Sequence, residues 1–322
     1  MDDSKQFITG LKQDNLALLR KIAKTDYHNH ALYGGDRNYI YNKTGIMIKP
    51  ITCSIDSPDT IDLYVKKFSD NILLSDKEYY DLMFDASIIQ AGKDGVKKIM
   101  LSIDAWCIYT IYGGNISYIL NHLSKTALEA GFNIDIKIQV GISRYAAGKD
   151  LEKWFEPLWG DPCVTSIDLY GPENVGNIDV FKKIYTRSKK YNWLRVAHVG
   201  EFLGPEIIEE YIEALDLQHI NHGINAYMSN NLIAKLKERN TILHVCPSSN
   251  LLLGRISALS FHPIKYLYRS GVRVTINSDD LLVFGSTVSE EYLKLYQAHV
   301  LSAEELDDIR TKSLDLDLSM VM

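Results

Sequence analysis

Short apolar runs alternate with longer helical patterns from about residue 95 to residue 300. The runs at 98–103, 134–140, 164–169, 194–197, 219–221, 241–245 and 272–276 have the length and β-branched content of buried strands. A further run at 25–30 brings the number to eight. Between them, 115–129, 180–190, 205–215, 231–238 and 263–269 carry helical periodicity, and Pro205 opens its segment at a first-turn position that needs no N–H. Eight strands with helices between them predict either a closed parallel barrel or a doubly wound sheet. The polar residues decide. His30, Asp168, His198, His222 and Asp279 each end a different apolar run, and His28 lies two residues before His30. A barrel gathers all those ends on one face, whereas an open sheet scatters them. The expected fold is therefore of the α/β class, a (β/α)8 TIM barrel.

Residues 31–95 are too long for a simple strand-to-helix connection and contain helical candidates at 60–68 and 76–89. They predict an insertion after the first strand that covers the barrel mouth as a lid or pocket wall. Tyr64 and Phe68, one helical turn apart, either line a base-sized pocket or pack on each other. At 322 residues, the chain is expected to form one domain, a barrel of roughly 250 residues with additions.

Composition narrows the function classes. Formal net charge is -6 with both signs mixed, and the basic clusters at 97–98 and 187–190 are too short for a nucleic-acid track. The start, MDDSKQFITG, has no signal-peptide pattern, and no apolar run of eighteen residues predicts a membrane span. Cys53, Cys107, Cys163 and Cys246 form no CxxC pair, which fits reduced thiols in a cytoplasm. The sequence leaves the oligomeric state open.

The strand-end residues carry the chemistry. In His28-Asn29-His30, the two-residue period of a strand puts both imidazoles on one side, where they can hold one metal ion. His198 ends LRVAH, and Glu201 follows three residues later, within reach of a metal-bound substrate without being a ligand. His222 sits in NHG, where Gly223 removes bulk beside it. Asp279 and Asp280 end VRVTINSDD, and adjacent side chains there have different tasks. Three imidazoles and a carboxylate suit a hydrolytic metal, with zinc the default and iron, cobalt or manganese as alternatives. Such an ion lowers the pKa of a bound water and creates a nucleophile. His122, His219, His244, His262 and His299 lack an equivalent context, and His244 reads as core or as support for the site. Cys246 has no clear base partner for a nucleophile role.

Together these motifs resemble the adenosine deaminase family of the metal-dependent amidohydrolases. The matching segments are HNH at 28–30, IDLYGPE at 167–173, HVGE at 198–201, NHG at 221–223, CPSSN at 246–250 and NSDDLLVFGSTVSEEY at 277–292. The resemblance spans about residues 25–315 in the expected order. It implies a barrel holding one zinc ion and the hydrolytic release of ammonia from a 6-aminopurine. It further implies that His28, His30, His198 and Asp279 are the zinc ligands and that Glu201 protonates the purine N1. His222 then orients and helps deprotonate the attacking water, Asp280 meets N7, and the Gly171 backbone meets N3. Asp168 supports the site. The fourth strand, in VTSIDLYG, lacks the lysine that bridges two metals in related hydrolases, which favours one ion.

One position departs from the family pattern. Relatives that bind ribose continue HxH with Leu-Asp-Gly, and that Asp meets the sugar 5′-hydroxyl. This chain reads His30-Ala31-Leu32-Tyr33, so Leu32 replaces the acid. Losing such a partner can change specificity by orders of magnitude. Adenosine is the leading substrate expectation, with a 5′-modified nucleoside or free adenine beside it. A hydrolase of another amide or amidine and a non-catalytic binding protein on the same barrel are the alternatives.

Overall fold

The computed structural model describes residues 2–55 and 59–317; the side chains of Asp59 and Asp62 and residues 56–58 of the expected insertion lie outside that description. Eight parallel strands run in sequence order, β1 (Lys24–His30), β2 (Val96–Asp104), β3 (Asp135–Ser143), β4 (Val164–Tyr170), β5 (Leu194–Val199), β6 (His219–His222), β7 (Ile242–Val245) and β8 (Arg273–Ile276). Each ladders with its successor, and helices follow on the outside, giving the expected (β/α)8 barrel. All eight strand candidates become strands, within three residues at each boundary. Their near-continuous burial explains why they read as plain apolar runs, because a parallel strand is covered on both faces.

The seam between β8 and β1 is closed largely by side chains. The Tyr27 N–H donates to Asn277 Oδ1 at 2.8 Å, and the Asp279 N–H donates to the His28 carbonyl at 2.9 Å. Asp26 Oδ2 accepts from the Ser278 hydroxyl at 2.5 Å and from Asn29 at 3.2 Å. These bonds lock the loop after β8 against β1, so Asp279 is carried to the histidine pair.

Between β1 and β2 lie the helices Arg37–Thr44, Asp59–Ser69 and Asp76–Lys93. The third packs on β2 and on the helix Ile116–Glu129, taking a place in the barrel's outer ring. The additional structure after β1 is thus concentrated before Asp76. Tyr64 and Phe68 stack edge to face with ring centroids 5.5 Å apart, and it is Ile61 from their helix that reaches the barrel mouth. No helix among the described residues is long and apolar enough to cross a membrane.

Candidate active site

The C-terminal ends of β1, β4, β5 and β6 and the loop after β8 converge on a cavity of about 170 Å³. His30, Gly171, His198, Glu201, His222, Asp279 and Asp280 all line it. At its floor, ring nitrogens of His28, His30 and His198 lie within 4.8 Å of one another. His30 Nε2 is 3.3 Å from His198 Nε2, and Asp279 Oδ1 is 3.5 Å from His28 Nε2 and 3.9 Å from His30 Nε2. His28 Nε2 is buried with no hydrogen-bond partner. A buried nitrogen left without a partner, facing two other imidazoles and a carboxylate, fits a cation. The four expected ligands are therefore together.

The opposite nitrogens are held from behind. His198 Nδ1 is 3.1 Å from Asp168 Oδ1, and His30 Nδ1 is 3.2 Å from Asp280 Oδ1. His28 Nδ1 is 3.4 Å from Cys246 Sγ. Such contacts fix which ring nitrogen faces the metal. Asp168 thus sits behind His198, outside the cavity lining, and Asp280 both lines the cavity and orients His30. Burial pushes His28 down to about 3 and His198 well below the usual imidazole range, favouring the neutral rings that a metal ion would need. At His30 burial acts in the same direction, but the Asp280 and Asp279 carboxylates outweigh it and hold the ring up to about 10.

His222 and Asp279 adopt φ of 62° and 58°, in the left-handed region that non-glycine residues rarely enter. Strain of this kind is retained where side chains must be aimed. Gly171 has φ of 104°, which a side chain would disfavour, and its carbonyl accepts from Arg144 Nη1 at 2.7 Å. Arg144 Nη2 donates to the His198 carbonyl at 2.6 Å, so one buried guanidinium ties two strand-end loops together.

Glu201 is buried beside His222, with 3.5 Å between Oε1 and Nδ1. Burial, followed by the charges of Asp279 and Glu173, raises its carboxyl well above the ordinary value. The shift favours the protonated form, the direction a general acid requires. Burial also holds His222 down at about 3, so that ring is neutral. Leu32 does not line this cavity: it lines a neighbouring one of about 90 Å³ with Tyr80, Phe84 and Asp104, which His30, Tyr33 and Tyr170 border from the site side.

Three residues to which the sequence assigned no role belong to the surroundings of the site. Glu173 accepts four backbone N–H bonds from residues 200–203, and Asn250 touches both Glu201 and His222. His262 in turn touches Asn250. Glu173 and Asn250 fall inside quoted motifs, but nothing local in the sequence reveals their partners.

The adenosine deaminase family model matches residues 49–317. The chain belongs to the adenosine deaminase family. A Treponema pallidum protein named "Putative adenosine/adenine deaminase" is 30% identical over 288 residues, covering 89% of this chain and 96% of its own. An adenine deaminase of a Marinomonas species is 30% identical over 90% of both chains. Among solved structures, an adenine deaminase from Arthrobacter aurescens superposes with a TM-score of 0.75 at 21% identity, covering 91% of this chain and 94% of its own. At that identity the likeness shows the fold. Family membership makes the chain a hydrolytic deaminase of aminopurines, in a superfamily whose deaminases depend on a metal.

Proposed function

We propose that the chain deaminates a neutral 6-aminopurine with one zinc ion, and that adenine is its preferred substrate. The observation that carries this reading is Glu201, a buried carboxyl whose pKa is raised, beside the His/Asp cluster in a base-sized cavity. His28, His30, His198 and Asp279 would hold the ion. When bound, zinc supplies an activated water at neutral pH.

The chain's own residues then divide the work. Carbon C6 of the purine is a poor electrophile until N1 gains a proton, and Glu201 donates it. His222 orients the attacking water. Asp280 and the Gly171 backbone N–H hold the two other edges of the purine. A C6–O bond forms and the C6–N bond breaks, so adenine and water become hypoxanthine and ammonia.

The substrate choice rests on what surrounds the base. Among the described residues lining the cavity none is Lys or Arg, which disfavours a phosphate. Leu32, at the position where ribose-binding relatives carry an acid, lies outside this cavity and offers no partner for a 5′-hydroxyl, and Tyr33, Ile61, Leu253 and Phe284 give the cavity an apolar wall. The relatives named adenine deaminases agree with this choice. Adenosine is the second reading, favoured by Ser143 and Tyr145 on the wall, whose hydroxyls suit a ribose.

The test is turnover of adenine, adenosine, 5′-deoxyadenosine and AMP by zinc-loaded protein, followed by ammonia release and the ultraviolet shift. Adenine is expected to have the highest kcat/KM. Preference for AMP would overturn the substrate assignment, and no turnover of any aminopurine would overturn the reaction.

A further inference from the structure

A chain of four buried side chains runs from the loop after β7 into the site, and its first link is a donor of fixed direction. The backbone N–H of Ile264 donates to His262 Nδ1 at 3.0 Å. Pro263, with φ of -63°, sets the turn that brings this N–H back to the ring. A backbone N–H can only donate, so His262 Nδ1 is the acceptor and a neutral ring carries its proton on Nε2. Burial keeps that ring neutral, since it pushes the imidazole down to about 3.

The directions of the remaining bonds follow. His262 Nε2 lies 3.2 Å from Asn250 Oδ1, so the N–H donates and the amide oxygen accepts. The Asn250 NH2 group then points the other way. It lies 3.2 Å from Glu201 Oε1 and 3.2 Å from His222 Nδ1, one hydrogen for each. His262 and Asn250 do not line the cavity, so neither touches a substrate there.

We propose that His262 is a positioning residue for the acid Glu201 and for His222, acting by fixing the orientation of the Asn250 amide. This rests on Glu201 being the proton donor, as proposed above. With the amide so fixed, Glu201 Oε1 accepts a hydrogen bond and the transferable proton resides on Oε2. His222 accepts at Nδ1, so its own proton resides on Nε2, the nitrogen 3.8 Å from Asp279 Oδ2. His222 in the resting enzyme therefore orients by donating rather than by removing a proton. An amide turned by half a rotation would present Oδ1 to Glu201. Glu201 would then spend its proton on Asn250, and none would be left for the purine ring.

The experiment compares His262→Leu, which cannot donate, with His262→Gln, which can. In zinc-loaded protein, His262→Leu is expected to lower kcat about tenfold or more, within the range of a general acid's contribution, with metal content unchanged and KM altered less than about threefold. His262→Gln is expected to recover kcat to within about threefold of wild type. Wild-type kcat in His262→Leu, or equal loss in both variants, overturns the proposal. Nitrogen NMR of the histidine rings in the zinc-loaded chain reads the same claim without substrate. His262, assigned by its disappearance in the Gln variant, is expected as the Nε2–H form, unchanged between about pH 6 and pH 8. A ring protonated on Nδ1, or one that titrates in that interval, overturns the relay by itself. Absence of aminopurine turnover in wild type would instead strike the reading of the reaction.

Discussion

Glu173 holds the backbone of Glu201 while its charge acts on the Glu201 side chain. Its Oε1 accepts the N–H groups of Glu201 and Phe202, both at 2.8 Å, and its Oε2 accepts those of Gly200 at 2.9 Å and Leu203 at 3.3 Å. The same carboxylate helps raise the Glu201 pKa, after burial and Asp279. One buried residue therefore holds the backbone of Glu201 in place and adds to the upward shift of its carboxyl.

Glu173→Gln removes that charge and turns an amide N–H toward backbone N–H groups. Activity that needs protonated Glu201 declines as pH rises through the Glu201 pKa. Lowering that pKa moves the declining limb of the kcat/KM profile to lower pH. The expected result is an acid-ward shift of that limb and about tenfold lower activity at neutral pH. An alkaline limb that stays in place would show that Glu173 does not influence the acid.

Glu201→Gln keeps the shape and removes the proton. Turnover is expected to fall more than about a hundredfold while zinc content stays at the wild-type level. Stability gives a second reading. The folded pKa of Glu201 lies above its unfolded value, so between the two the folded chain binds more protons. Wild-type stability is therefore lost as pH rises through that window, and the Gln variant is spared this loss. Thermal unfolding should show the variant gaining on wild type as pH rises from the ordinary carboxyl range upward. A constant difference across pH would contradict the raised pKa.

Zinc binding should displace a proton from His30. In the metal-free chain Asp280 and Asp279 hold this ring at about 10 against the effect of burial, while His28 and His198 are neutral. Ligation needs a free lone pair, so binding at neutral pH is expected to release about one proton and to weaken as pH falls. Calorimetric titration of the metal-free protein in buffers of different ionisation enthalpy measures the release. Asp280→Asn removes the partner that most favours the charged ring and should reduce it. An enthalpy that does not depend on the buffer would refute the assignment.

What the sequence disclosed follows from the range of each interaction. The strands were legible because burial on both faces makes them apolar runs, and the His/Asp cluster was legible because its members lie at or near the ends of those runs. The helix Ala105–Tyr112, AWCIYTIY, was missed because it is apolar nearly all round and has little periodic contrast. The helices Val288–Gln297 and Ala303–Leu314 follow the last strand, beyond the alternation that guided the reading. Glu173 and His262 were missed for another reason: each acts on a side chain or backbone that only the fold brings near. Tyr64 and Phe68 chose packing over lining because Ile61 occupies the turn of the helix that faces the mouth.

Asn277 should matter to both stability and metal retention, because it closes the barrel immediately beside the ligands. Its Oδ1 accepts the Tyr27 N–H at 2.8 Å, and its Nδ2 donates to Thr275 Oγ1 at 2.9 Å and to the Val245 carbonyl at 3.3 Å. Tyr27 precedes His28, a proposed ligand, and Asp279 lies two residues beyond Asn277. Asn277→Ala leaves the Tyr27 N–H buried without its acceptor, at a cost of about 1–3 kcal/mol, and opens a void that adds to it. Asn277→Asp keeps the acceptor but loses the two donated bonds and buries a charge, so it is not expected to restore stability. Urea unfolding of the metal-free protein should place Asn277→Ala about 2–4 kcal/mol below wild type. Transfer of zinc to a chelator should also be faster in that variant, since the seam that sets the His28–Asp279 spacing is looser. Wild-type unfolding together with wild-type zinc release would mean that the ladder partners alone hold β1 in place, and that the side-chain seam contributes nothing to the site.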